Sequence, residues 1–94
     1  MKIVRSSKYI AALQEIMRFI SLDSKKRASA FRSQIDKQIA SLTDMPYKCR
    51  KSIYFDDEQI RDLIYKGYTI VYKVDETNNL IVIVAIKKHQ NDLG

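Results

Sequence analysis

The chain has 94 residues, 46% hydrophobic and 30% charged, which excludes a disordered chain and predicts one folded domain over residues 1–94. A single Cys and a single His exclude an internal disulfide and a metal centre built from those residue types, and no apolar run is long enough to cross a bilayer. Lys and Arg number 17 against 11 Asp and Glu, a formal net charge of +6, which favours a polyanion or an acidic protein as partner unless the cations merely solvate helix faces.

The excess is uneven: residues 1–51 carry 12 basic and 4 acidic side chains, residues 52–94 carry 5 and 7. Met1 to Arg5 reads as a short edge strand without the apolar stretch of a signal peptide, so a cytoplasmic protein is expected. From Ser7 the apolar residues Tyr9, Ile10, Leu13, Ile16, Met17 and Ile20 recur at steps of three and four, the stripe of an amphipathic helix capped by Ser6 or Ser7. Asp23 reads as the N-cap of a second helix, with Ala28, Phe31, Ile35, Ile39 and Leu42 on one face and Lys25, Lys26, Arg27, Arg32 and Lys37 on the rest. So short a join predicts an antiparallel helical hairpin, ended by Pro46.

After Pro46 the period changes to two. Lys51–Phe55 reads as a short strand or turn, and residues 60–64 as a strand. Tyr65-Lys66-Gly67 reads as a tight turn in which Gly67 is free to take positive φ. Tyr68, Ile70, Tyr72 and Val74 then alternate with Thr69, Val71 and Lys73. Asp75–Asn79 closes a hairpin, and Leu80–Ile86 predicts a strand covered on both faces. The expectation is an α+β domain with an N-terminal helical hairpin packed on an antiparallel sheet of three to four strands.

No phosphate-cradling glycine loop, metal-ligand cluster or nucleophile elbow is present in the sequence. The chemistry-bearing set is a group of cations on the sheet half: Arg50, Lys51, Arg61, Lys66, Lys73, Lys87 and Lys88, with His89. Lys87 and His89 share a face if the last strand reaches them. Tyr68 and Tyr72 either stack on RNA bases beside these cations or, as their parity with Ile70 and Val74 suggests, face the helices as core. Cys49, beside Arg50 and Lys51, reads as an ordinary residue.

Several stretches resemble the RelE/ParE toxin superfamily. Tyr9-x-x-x-Leu13-x-Glu15-Ile16-x-x-Phe19-Ile20 is similar to the first helix of ParE-type members. Arg61-Asp62-Leu63, then Gly67-Tyr68-Thr69-Ile70-Val71-Tyr72-Lys73-Val74 and Leu80–Ile86, resemble the strand–turn–strand core, and the likeness covers nearly the whole chain. The resemblance implies the toxin half of a type II toxin–antitoxin module, of the growth-inhibiting and plasmid-stabilising kind. It implies a hetero-oligomer with an acidic antitoxin whose C-terminal segment wraps the toxin, and no cofactor, metal or membrane.

Within the superfamily, RelE-like members cut messenger RNA on the ribosome and ParE-like members poison DNA gyrase. Metal-free cleavage needs a base, a cation for the charged transition state and an acid. The RelE-like pattern places Arg where this chain has Thr69. The end Ile86-Lys87-Lys88-His89-Gln90 resembles that of ribonucleases in which His acts as acid, so His89 and Lys87 would be catalytic in that reading. The nearest candidate bases, Asp56, Asp57 and Glu58, otherwise form a solvated turn. A gyrase poison needs only a docking surface, and Pro46, Arg50 and Ile60-Arg61-Asp62-Leu63 resemble the ParE-like subgroup. The expected contacts to target or antitoxin are Arg50, Arg61 and Lys87, with Tyr9, Leu13 and Met17 in core or lining an apolar groove. Arg61 has a competing role in pairing with Asp62 or Asp75.

Overall fold

The computed structural model describes residues 1–88. Strand β1 (Lys2–Arg5) leads into helices α1 (Ser7–Asp23) and α2 (Lys25–Ala40), followed by a 3-10 turn at Ser41–Thr43. Strands β2 (Arg50–Lys51), β3 (Ile60–Tyr65), β4 (Tyr68–Asp75) and β5 (Leu80–Lys88) complete it.

Both helix starts are fixed by serine. Ser6 Oγ accepts the Tyr9 amide at 3.1 Å and donates to the Val84 carbonyl at 2.8 Å, so one hydroxyl caps α1 and ties it to β5. Ser24 Oγ accepts the Arg27 amide at 3.1 Å. The cap of α2 is therefore Ser24 and not Asp23, which is the last residue of α1. Ser24 has the extended backbone a cap requires, with φ −161° and ψ 116°.

The strands form one five-stranded sheet in the order β1-β5-β4-β3-β2. Neighbours among β2 to β5 are antiparallel, but β1 runs parallel to β5, with Lys2 opposite Leu80 and Arg5 opposite Ile83. The sheet is thus mixed and wider than the three or four antiparallel strands expected. The edge strand expected over Met1–Arg5 is present as β1, and a two-residue strand, β2, forms at Arg50–Lys51 where Lys51–Phe55 reads as a short strand or turn, which brings the count to five.

The helices cover one face. Tyr9 and Leu13 of α1, Ile35 and Ile39 of α2, and Leu42 close on Leu63, Ile70, Tyr72, Val74, Ile81, Ile83 and Ile86. Phe31 packs edge-on to Tyr68 with ring centroids 5.1 Å apart. Both tyrosines of β4 therefore face the helices, Tyr72 fully buried and Tyr68 half-buried. The Tyr72 hydroxyl donates to the Pro46 carbonyl at 2.6 Å, pinning the post-helix loop to the core.

A bulge sets what β5 shows on each side. Val71 pairs with Ala85 but Tyr72 pairs with Ile83, leaving Val84 extra. Ile86 then joins Ile83 and Ile81 in the core while Ala85 and Lys87 turn to the opposite face. β5 is only partly covered on the face away from the helices, where Ala85 is buried but Leu80, Val82 and Val84 stay half-exposed. The strand buried on both faces is β4, where Thr69 to Tyr72 are all buried. No helix among the described residues is long and apolar enough to cross a membrane.

Candidate interaction surface

The sheet face away from the helices collects the informative side chains. Arg50 on β2 stands opposite Asp62 on β3, Asp62 opposite Val71, and Ile64 opposite Thr69, which in turn faces Lys87 on β5. Alternation within each strand puts Arg50, Asp62, Ile64, Thr69, Val71, Ala85 and Lys87 on this one side.

Asp62 organises the segment that crosses it. Its side chain is fully buried, and Oδ2 accepts the Ile53 amide at 3.1 Å and lies 3.4 Å from Arg50 Nη2. Ser52 is buried beside it, its Oγ accepting the Tyr54 amide at 3.1 Å. Ser52 to Phe55 is thereby laid over the second sheet face, and the Tyr54 ring carries Lys87 Nζ at 4.3 Å from its centroid. Lys51 holds the far end of the segment through Asp56 at 3.1 Å and Glu58 at 3.5 Å. These partners, led by the Asp56 contact, hold the Lys51 ammonium above its ordinary pKa.

The result is an open apolar patch. Ile53, Tyr54, Phe55 and Ile64 are four of the ten large apolar or aromatic side chains left exposed among the described residues, which marks this face as the richest contact surface of the sheet. Beneath it, Asp62 Oδ1 and Thr69 Oγ1 are buried without a hydrogen-bond partner among the described residues. Thr69 is neutral and fully buried.

Arg50, Arg61 and Lys87 do not form one cluster. Arg50 and Lys87 border the patch. Arg61 lies on the helix side, opposite Tyr72, with 18% of its side chain exposed. Its Nε donates to the Glu58 carbonyl at 2.9 Å, its Nη1 to the Cys49 carbonyl at 3.2 Å, and its guanidinium sits 4.9 Å from the Tyr47 ring centroid. Its acidic partner is Glu58 at 3.6 Å, not Asp62 or Asp75. Arg61 braces the loop after the helices.

Tyr9 and Leu13 are core, and burial pushes the Tyr9 hydroxyl up from its ordinary pKa, helped by Asp36. Met17 is half-buried against the same core. Asp56 and Glu58 are exposed and paired with Lys51, while Asp57 Oδ1 accepts the Gln59 amide at 2.9 Å, as expected of a solvated turn. Cys49 is a free, half-buried thiol. His89 lies outside the described residues. Among the described residues no cluster of His, Cys, Asp and Glu could hold a metal ion. Ile53, Tyr54 and Phe55 were hidden in the sequence because three consecutive apolar residues fit neither helix nor strand alternation.

The sequence model of the family described as ParE toxin of type II toxin-antitoxin system, parDE, matches residues 3–93. The chain belongs to the ParE toxin family. Its fold is shared by solved members of the RelE/ParE superfamily. The chromosomal ParDE TA system from P. aeruginosa includes a chain that superposes with a TM-score of 0.75 at 17% identity, covering 96% of this chain and 97% of that one. The isolated E. coli RelE toxin superposes with a TM-score of 0.72 at 13% identity, covering 98% of this chain and 87% of that one. No curated protein is similar enough to count as a match. This ParE-family chain is a toxin of the type II toxin–antitoxin class, carrying the superfamily's helical hairpin and sheet core.

Proposed function

We propose that the chain inhibits growth by binding DNA gyrase through the second sheet face, and that a cognate acidic antitoxin neutralises it. The observation that carries this reading is the patch of Ile53, Tyr54, Phe55 and Ile64 bordered by Lys87 and Arg50. Protein-docking surfaces concentrate aromatic side chains and Arg around a few apolar anchors, with cations at the rim. Lys87 is held over Tyr54 and Arg50 against Asp62, so both cations are partly ordered before a partner arrives. Arg61 acts indirectly by holding the loop between α2 and β2. The neutral Thr69 supports a docking role over phosphoryl chemistry, and the cytoplasmic expectation follows from a gyrase target.

Induced expression tests the reading. Growth should stop, covalent gyrase–DNA cleavage complexes should accumulate, and messenger RNA should stay intact. Tyr54→Ala with Phe55→Ala should abolish the arrest while the purified variant stays folded by circular dichroism. Ribosome-dependent messenger-RNA cleavage that is lost in His89→Ala would replace gyrase poisoning with the ribonuclease alternative.

A further inference from the structure

Six cations are carried to one end of the sheet by elements far apart in sequence. Lys66 stands in the turn between β3 and β4, and Lys87 and Lys88 close β5 opposite Thr69 and Tyr68, the first residues of β4. Lys25, Lys26 and Arg27 open α2, and Arg27 lines one groove with Lys66, Tyr65 and Tyr68. All six residues are exposed, and none forms an ion pair with another described residue. Acids are scarce around them: Asp23 is the single one between residues 19 and 34, and residues 63–74 and 77–88 contain none. The acids gather at the other end of the sheet. Asp56, Asp57 and Glu58 lead into β3, and Asp75 and Glu76 follow Val74, whose amide donates to the Gln59 carbonyl at 2.8 Å.

Local stability does not account for these placements. The N-terminus of a helix carries the positive end of its dipole, and Lys25-Lys26-Arg27 opposes it with no acid in the first turn. Lys66 has φ of 43° ahead of Gly67 at 81°, in a two-residue turn where Asn, Asp or Gly is tolerated better than Lys. Nor do the six merely solvate a helix, since Lys66, Lys87 and Lys88 belong to a turn and a strand end. The nearest rings, Tyr65 and Tyr68, are packed on Phe31 with centroids 6.1 Å and 5.1 Å away, so this end offers charge and not a stacking platform for unpaired bases.

We propose that this cationic end binds the phosphate backbone of duplex DNA, and that it grips the DNA segment held by the gyrase target. The second half of the inference rests on the gyrase reading; the DNA contact itself does not. Exposed Lys and Arg side chains neutralise phosphates and fix a protein on a duplex without reading its sequence. The acids at the far end turn the molecule cation-first towards a polyanion. Lys87 makes the two surfaces continuous, because it lies over Tyr54 in the apolar patch and next to Lys88 at the cationic end. A ligand shifts an equilibrium only by its differential affinity for the two states. Phosphate contacts formed only when the enzyme holds DNA supply that difference, while the patch supplies the protein contact.

Fluorescence anisotropy of the full chain with a labelled duplex of mixed sequence tests the site. The logarithm of the affinity should fall against the logarithm of salt concentration with a slope of about −4 to −5, as for roughly four to six phosphate contacts. Lys66→Glu with Lys88→Glu should weaken binding by at least roughly tenfold and flatten the slope by about 2. Lys2→Glu with Lys37→Glu makes the same change in net charge at the other end, opposite Leu80 and in the last turn of α2. It should weaken binding by less than roughly threefold. Lys25→Glu with Lys26→Glu should weaken binding yet raise the Tm of the free chain by about 1–3 °C, because charge reversal relieves the dipole. Equal losses in the first two double variants would reduce the effect to net charge and overturn the proposal, as would undiminished binding by Lys66→Glu with Lys88→Glu. So would tighter binding to polyglutamate or single-stranded RNA than to the duplex. Preference for phosphatidylglycerol vesicles, taken up through the exposed Phe19 and Leu22, would do the same. With purified gyrase, added DNA should tighten binding, and Lys66→Glu with Lys88→Glu should lose that gain while keeping DNA-free binding. Gyrase binding that DNA does not strengthen removes this inference and leaves the gyrase reading standing. Duplex binding lost in Lys66→Glu with Lys88→Glu, by a chain that does not bind gyrase, does the reverse.

Discussion

Single side chains show how little of a residue's role is fixed by its type. Tyr72 and Tyr68 share a strand face, yet Tyr72 is a sealed core residue whose hydroxyl reaches the Pro46 carbonyl, while Tyr68 borders an open groove. Burial, followed by the neighbouring Cys49, raises the Tyr72 hydroxyl far above its ordinary pKa, so it stays a neutral donor. Tyr72→Phe should cost about 1 kcal/mol in urea denaturation, with the unfolding slope unchanged, because one buried hydrogen bond is lost and no cavity is made. Asp75 offers a pH-dependent counterpart. Asn78 donates to it through its side-chain amide at 2.9 Å and its backbone amide at 3.1 Å, which lowers the carboxyl pKa below the ordinary aspartate value. A carboxyl with a depressed folded pKa stabilises the fold above its unfolded pKa near ~3.9 and loses that contribution as pH falls through the folded value. Thermal melts from about pH 5 down to about pH 2 should therefore show a smaller drop for Asp75→Asn than for the parent chain. That Asp75–Asn79 forms a hairpin loop could be read from its composition; that Asp75 does the tying could not, since Glu76 beside it is also an acid.

At the scale of elements, periodicity located what tertiary contacts then adjusted. The stripes on α1 and α2 were legible because a helix packed on one side must repeat its apolar residues at steps of three and four. The cap of α2 was read one residue early, since Asp23 and Ser24 both suit the role and only the backbone decides. The strand with two buried faces was read as β5 because it is the most aliphatic, whereas the structure gives that position to β4. There the second covering layer is Ser52–Phe55, whose docking depends on Asp62 and leaves no local pattern. The caps also differ in what they join. Ser6→Ala removes both the cap of α1 and the tie to Val84, while Ser24→Ala removes a cap alone. Loss of a serine cap costs about 1 kcal/mol, so Ser24→Ala should sit near that value and Ser6→Ala about 1 kcal/mol beyond it, read from denaturation midpoints.

The whole molecule separates residues that hold the fold from those left open on its surface. Tyr9 and Leu13 lie in the core with Ile35, Ile39 and Ile81, so substitutions there act on folding first. Ile81→Ala should cost about 2–5 kcal/mol, a large share of the stability of a domain this size, and should reduce the folded population measured by circular dichroism. Ile64→Ala, on the open face, should stay within about 0.5 kcal/mol of the parent. If both substitutions silence the toxin, only the Ile64 effect is assignable to target contact. The α+β class and the segregation of helices to one face followed from the order of periods along the chain. The parallel direction of the edge strand read at Met1–Arg5 did not, because its neighbour Leu80–Ile83 is distant in sequence and leaves no local signal.

That parallel pairing has a consequence for synthesis. Strand β1 finds its hydrogen-bonding neighbour only after the chain through Leu80–Ile83 has left the ribosome, since Ser6 too reaches across to Ile83 and Val84. A product cut short before Leu80 therefore lacks the surface against which its first five residues and its leading helix are anchored. Translation that aborts before Leu80 releases fragments without the finished sheet, and the folded domain forms only once β5 has been made.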